Sequence, residues 1–277
     1  MRPTSVVAVL LLSCVACERT NDAPPLRLPA GSAGVLLQRA IDAAGGWDRW
    51  LAVRDVAFVT TFTLYDPVGN ISSESIGIHK SPLHQGPRVR YESLGLPQPV
   101  TLGFDGKDAW MLRDGAPIRE PARLALSRFN MVGNIFWFSL PFSLAELPVT
   151  ITDLGEQRDG DTRWQRLKVT LDDGAPEAPG DWFVISLDPQ SGLIDHVLGH
   201  ITASFLTHSL WVGKWLDYQD CGGIRKERRR QFFPADAEGA IVGNMVVEQL
   251  VEDVHFNNQF PPQLFEKPLL ADGGNPT

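Results

Sequence analysis

The stretch VAFVTTFTLYD, residues 56 to 66, constrains this chain more than any other. Its β-branched and aromatic residues recur with period two, which puts Phe58, Phe62 and Leu64 on one face of a strand. Similar runs follow near 71–80, 88–94, 100–104 and 108–113. They resume near 149–156, 163–171, 182–187, 194–205, 213–220, 224–233 and 245–257. Asp105-Gly106 and Asp114-Gly115 are strong hairpin signals, and turns at Asp159-Gly160-Asp161, Asp188 to Gly192 and Gly222-Gly223 punctuate the second set. Strands of this length and spacing predict an α+β, mainly β chain, with a strongly curved antiparallel sheet or open barrel wrapped about helices.

Two segments break the period. Val35, Leu36, Leu37, Ala40, Ile41 and Ala44 recur at helical spacing, with Ser32 as N-cap and Gly45-Gly46 as the stop; a shorter helical turn follows from Trp47 to Val53. The second segment, residues 120–147, starts helix-like and then gathers Phe129, Met131, Ile135, Phe136, Trp137, Phe138, Leu140 and Phe142 around Pro141. That is more apolar surface than one helix face can bury, so part of it must meet a sheet, a ligand or a membrane. Core filling between a helix and the sheet and a lid over a ligand explain it equally well.

The amino terminus is written for export. Met1 and Arg2 lead into an apolar stretch from Val6 to Leu12, too short to span a bilayer, and then into small residues beside a cysteine. Leu11-Leu12-Ser13-Cys14 resembles the lipobox of bacterial lipoproteins, where a signal peptidase cuts before a cysteine that receives diacylglycerol. Cys14-Val15-Ala16-Cys17 is a second reading, and an ordinary signal peptide with incidental cysteines is a third. Chemistry of the box favours Cys14 and signal length favours Cys17. If Cys14 is acylated, Cys17 and Cys221 can pair in an oxidising compartment; if Cys17 is, Cys221 is a lone thiol. Val15 and Glu18, which follow the two candidate cysteines, are not Asp, so no inner-membrane retention signal is evident, and in a Gram-negative host attachment to the outer membrane facing the periplasm is expected.

The polar, Pro-rich stretch after the cysteines reads as a tether able to reach about 50 Å when extended. The expected organisation is a signal over 1–16, a tether over 17–32, one folded unit over 33–268 and a short tail over 269–277.

DWFVISLDPQSGLIDHV (181–197), WLDYQDCGGIRKERRRQFF (215–233) and VEDVHFNNQFPPQLFEKP (251–268) resemble, in order and style, the bacterial envelope proteins of the LolA/LolB lipoprotein-carrier superfamily. The Ala-Gly-Gly-Trp with Trp50 and the Leu-Pro-Phe at 140–142 are similar to an uncharacterised periplasmic branch of it. The resemblance covers most of 33–268 and rests on turns and strand ends, so it speaks for fold more than for activity. It implies a half-barrel of about eleven strands whose concave apolar face is covered by an N-terminal helix and a helical insertion and holds acyl chains.

On that basis Phe58, Phe62, Phe129, Met131, Ile135, Phe136, Trp137, Phe138 and Phe142 are candidate ligand-lining residues. Such a groove needs area rather than catalytic groups: roughly 300 Å² of buried acyl surface at about 25 cal/mol per Å² supplies several kcal/mol before ordering costs. IRKERRRQ (224–231) alternates Arg225, Glu227 and Arg229 with Lys226, Arg228 and Arg230. It reads either as cross-strand pairing with Glu248, Glu252 and Asp253 or as a headgroup or partner patch of Arg225, Arg228 and Arg230.

Other classes find little support. Lys plus Arg total 25 against 33 Asp plus Glu, so a net charge of −8 argues against nucleic acid. His196 and His200 share a strand face but stand about 13 Å apart, too far to hold one metal ion. No Gly-x-Ser-x-Gly elbow, phosphate loop or dinucleotide fingerprint is present, and no cofactor is expected. The sequence therefore predicts a monomeric, non-catalytic, lipid-anchored envelope protein that binds a hydrophobic ligand or lipidated protein. A scaffold half-barrel that binds a protein partner at its rim is the alternative, and an enzyme ranks third.

Overall fold

The computed structural model describes residues 24–171, 181–200 and 210–268. Cys14, Cys17, the first part of the tether (17–23), the tail over 269–277 and the end of the run at 194–205 lie outside the described residues. In chain order the elements are α1 (Ser32–Ala43), α2 (Trp47–Leu51), β1 (Asp55–Tyr65), β2 (Ile71–Pro82), β3 (Val89–Leu94), β4 (Val100–Phe104), β5 (Ala109–Arg113) and β6 (Ala116–Ile118). Helices α3 (Pro121–Ser139) and α4 (Ser143–Glu146) follow. Then come β7 (Val149–Asp159), β8 (Thr162–Leu171), β9 (Trp182–Leu187), β10 (Ile194–His200), β11 (Leu210–Cys221), β12 (Ile224–Pro234), β13 (Val247–Phe256) and a 3-10 turn at Pro262–Phe265.

All the strands join one antiparallel sheet of thirteen, ordered β6-β5-β4-β3-β2-β1-β13-β12-β11-β10-β9-β8-β7. The expected count of about eleven is exceeded, in part because β6 is a strand of three residues, too short to show alternation. Two meanders meet where the last strand pairs with the first, and β6 and β7 are left as the two outer edges. The chain between those edges is α3 and α4, so the helical insertion has to travel from one side of the sheet to the other. A flat sheet of thirteen strands would be about 58 Å wide at 4.8 Å per strand. The nineteen residues of α3 extend only about 28 Å. Curling the sheet brings its edges together and leaves the helix lying across the concave face.

Ser32 is the first helical residue of α1 rather than its cap, because Gly31 takes that position at φ 73°. The Ser32 hydroxyl instead bonds the Asp153 carboxylate on β7. The Asp-Gly turns behave as their chemistry dictates. Asp114 and Gly115 both have positive φ, 51° and 75°, in a two-residue hairpin, while Asp105 Oδ1 accepts from the amides of Lys107 and Asp108 at 2.8 and 2.7 Å.

Curvature is helped by glycines opposite aromatic rings. Gly103 pairs directly with Trp110, Gly199 with Trp211 and Gly213 with Phe232. A Cβ on Gly103 or Gly199 would fall inside the opposing indole, so the ring lies flat across the neighbouring strand where a side chain would stand. We expect Gly199→Val to lower the unfolding free energy by about 2–3 kcal/mol through overpacking. Urea unfolding reads this directly, and an unchanged midpoint would mean that Trp211 turns away at no cost.

The C-terminal segment closes the convex side. Asp55 receives the backbone amides of Asn258 and Gln259 at 2.6 and 2.9 Å, turning the chain after β13. Phe265 is then buried, and its carbonyl accepts from Trp110 Nε1 at 3.3 Å while Arg90 Nη1 donates to Leu264 O at 3.2 Å.

Candidate functional site

Helix α3 begins with Pro121 at its first turn and ends where Leu140 turns extended before Pro141. Its apolar residues point three ways. Met131 and Val132 pack on Val89 and Phe104 of β3 and β4, with Ile135 beside them. Phe136 meets Phe183 at 5.6 Å between centroids, and Trp137 meets Phe183, Trp211 and Trp215 at 5.3, 5.7 and 5.8 Å. Phe138 stacks on Phe58 at 4.4 Å and approaches Phe256 at 6.3 Å, and beyond the helix Phe142 stacks on Trp50 at 4.6 Å.

The candidate lining residues therefore divide into two groups. Phe58, Phe136, Phe138 and Phe142 are each at most 4% exposed and form an aromatic floor in the main core, while Met131, 1% exposed, packs in a separate cluster with Val89, Phe104 and Val132. Phe62, Phe129, Ile135 and Trp137 remain partly exposed. Among the candidates, the exposed surface belongs to this second group.

The basic run of β12 does not form one patch. Arg228 is exposed and pairs with Glu252 at 2.6 Å, as the cross-strand reading anticipates. Arg225 is exposed at the far end of β12, beside a polar cleft of about 380 Å³ that also touches Asp42, Arg49 and Asp220. Arg230 is fully buried, which removes it from any surface headgroup site. Its parity explains why: it faces Trp215 and Gln249 in the sheet register, on the concave side.

A buried polar cluster that the sequence reading missed sits there under α3. Glu227 Oε1 accepts from Arg230 Nε at 2.8 Å and from its Nη2. Arg230 Nη1 donates to Gln249 Oε1 at 3.0 Å, and Gln249 Nε2 donates to Asn134 Oδ1 of α3 at 2.7 Å. Lys226 Nζ lies 3.4 Å from Glu227 Oε2, donates to Leu140 O at 3.0 Å and stands 4.8 Å from the Phe138 ring centroid. The sheet makes room for it by splitting. Pairing of β12 with β13 ends at Arg229 and Leu250 although both strands run on, and Asp217 and Asp253 nearby have positive φ. Burial, opposed by the Glu227 charge, lowers the Lys226 pKa, and burial raises that of Tyr218 well above its ordinary value. His79, stacked on Phe58 and bonded through Nε2 to Thr60 Oγ1 at 3.1 Å, is pushed down to about 3 by burial and then by the Arg230 charge. It is neutral at any physiological pH.

A second buried joint ties α2 and α4 to the connection after β2. His84 Nδ1 lies 2.9 Å from Glu146 Oε1, His84 Nε2 lies 3.2 Å from Trp50 O, and Trp50 Nε1 donates to Glu146 Oε1 at 2.8 Å. Both ring nitrogens face acceptors, so only the imidazolium donates to both. Burial opposes that charge, but the Glu146 bond and charge with the carbonyls of Trp50 and Val53 prevail, and the pKa stands above 6.5. A raised folded pKa gives a stabilisation complete below the unfolded value near 6.5 and lost as pH rises through the folded one. The stability advantage of the native chain over His84→Asn, which keeps a residue tolerant of φ 63°, should therefore shrink as pH rises from about 6.5 through the raised folded pKa. Thermal unfolding at stepped pH measures this, and a constant difference would mean that the ring is neutral throughout.

Cys221 is half-buried at the end of β11, with Cys14 and Cys17 outside the described residues. Among the described residues, no group of three or more His, Cys, Asp or Glu is placed to hold a metal ion, and no helix is long and apolar enough to cross a membrane.

No protein-family model matches the sequence, and no curated protein does. Solved structures do match. A LolA superfamily protein from Nitrosomonas europaea is similar at TM-score 0.53 and 12% identity, over 86% of this chain and 99% of that one. A DUF1329 family protein from Desulfovibrio piger is similar at TM-score 0.50 and 10% identity, over 84% of this chain and 96% of that one. The fold is LolA-like, as the turns and strand ends implied.

Proposed function

We propose that the protein shelters an acyl chain, of a lipid or of a lipidated protein, against the concave face beside α3, and performs no chemistry on it. The observation that carries this reading is a division among the candidate residues: a buried aromatic floor that includes Phe138, and partly exposed side chains at Trp137 and Ile135 of the insertion and at Phe62 of β1. The LolA-like fold supports the reading as an architecture, a curled sheet with a helix across its hollow. The reading includes an export signal, acylation at Cys14 or Cys17, and a tethered domain facing the periplasm from the outer membrane. The sequestering step needs only burial of apolar area, with the tether setting how far the domain reaches toward its donor.

The scaffold alternative has an observation of its own. The stacks of Phe58 on Phe138 and of Trp50 on Phe142 are what a self-filled core looks like. One measurement separates the two: native mass spectrometry with lipid extraction on the full chain carrying Cys14→Ser and Cys17→Ser, purified without detergent. A co-purifying lipid or acylated peptide, or a mass shift on adding a fatty acid, is the expected result. A clean apo mass that no fatty acid shifts would refute the carrier reading and leave partner binding at the rim.

A further inference from the structure

Strand β11 carries Trp211 and Trp215 on its concave side with Gly213 between them. The two indoles are 2% and 3% exposed. Trp137 of α3 stands between them, with centroids 5.7 and 5.8 Å away, and Phe232 of β12 adjoins both at 5.3 and 6.1 Å. The polar atoms of the wall are its indole Nε1–H groups, and those of Trp211 and Trp215 are buried with no acceptor in hydrogen-bonding range among the described residues.

Two other buried indoles are satisfied. Trp50 and Trp110, buried to the same degree, donate to Glu146 Oε1 at 2.8 Å and to Phe265 O at 3.3 Å. Leaving a buried donor unpaired is destabilising, and here two such donors share one wall. The neighbouring cation offers no competing hand: Arg230, whose guanidinium carbon is 5.9 Å from the Trp215 ring centroid, is engaged by Glu227 and Gln249. Recognition of a polar group at this wall falls to the indoles.

We infer that Trp211 and Trp215 donate to the oxygen atoms of the acyl ligand's carboxyl or ester group. The oxygen-bearing end of the ligand then lies at the Trp137–Trp211–Trp215 wall and its methyl end lies elsewhere. The inference rests on the carrier reading and deepens it, since it names an acceptor-headed acyl group over a plain hydrocarbon.

The test uses the full chain with Cys14→Ser and Cys17→Ser and three probes of equal chain length delivered from cyclodextrin: dodecane, methyl dodecanoate and dodecanoate. The ester and the acid should bind at least about ten-fold more tightly than the alkane. Trp211→Phe and Trp215→Phe keep an aromatic ring, a smaller one, and remove the donor, so each should narrow that preference between acceptor-headed probe and alkane about three- to ten-fold. A parallel reading needs no substitution: two indole N–H resonances should move downfield on adding the ester and stay in place on adding dodecane. Tighter binding of the acid points to free fatty acids, and tighter binding of the ester points to esterified lipid or lipoprotein. Equal binding of all three probes, with unmoved indole resonances, would overturn the inference while leaving the carrier reading intact. Binding of none would overturn both.

Discussion

Glu227→Leu will lower the free energy of unfolding by about 3–5 kcal/mol, the range for removing one partner of a buried ion cluster. Among the described residues, Glu227 is the anion that meets two fully buried cations: Arg230 binds it through two nitrogens, and Lys226 stands 3.4 Å away. Without it both cations face an apolar hollow, and the Gln249 and Asn134 amides bridge to α3 from a base that has lost its counter-charge. Apolar replacement of the whole trio, Lys226→Met with Glu227→Leu and Arg230→Met, should recover most of that loss, because well-packed hydrocarbon commonly matches a buried ion pair. Denaturant titration of the two variants is the measurement. A loss below about 1 kcal/mol for Glu227→Leu would mean that water reaches the cluster and that it is not the anchor for α3 described above.

Phe138→Ala and Trp137→Ala, one residue apart on α3, will fail in opposite ways. Phe138 is fully buried, stacked at 4.4 Å on Phe58 and covered by Lys226, so its truncation should cost about 3–5 kcal/mol of stability through transfer and cavity terms. Fatty-acid affinity of the molecules that remain folded should change little. Trp137 is partly exposed and abuts Phe183, Trp211 and Trp215, so Trp137→Ala should cost less stability and weaken fatty-acid binding by about ten-fold or more. Unfolding midpoints and fatty-acid titrations on both variants decide it. If both lose stability alike and neither changes binding, the insertion is core throughout and the scaffold reading stands.

Much of the architecture was legible. Period-two runs marked the strands because a half-buried sheet forces alternate residues inward, and the Asp-Gly turns were legible because only certain residues accept positive φ. The basic strand held a readable clue that went unused. Ile224 and Phe232 are in phase with Lys226, Arg228 and Arg230, which already suggests that this face turns toward the core. The spacing Trp211, Gly213, Trp215 likewise announces two large rings and a gap on one strand face. The clue failed in part even so, since Arg228 points to solvent while Glu227, out of phase, is buried. The split between β12 and β13 breaks the strict alternation there, and no local rule announces such a split.

By itself, the sequence determined which segments are strands apart from the three-residue β6, where they turn, that two segments are helical, and that residues 129–142 hold more apolar surface than one face can use. Those properties are set within a few residues by backbone sterics and side-chain phase. Only the tertiary structure decided that β1 pairs with β13 almost two hundred positions away, that β6 and β7 end as opposite edges, and that α3 must cross the hollow between them. Pairings over such distances are chosen by the free energy of the whole buried face against loop-closure entropy, and no single window of the chain contains that balance. The same balance sorted the aromatic insertion into floor and wall and drew Lys226, Glu227 and Arg230 inside, because burial belongs to a position in the folded sheet and a residue's neighbours in sequence do not determine it.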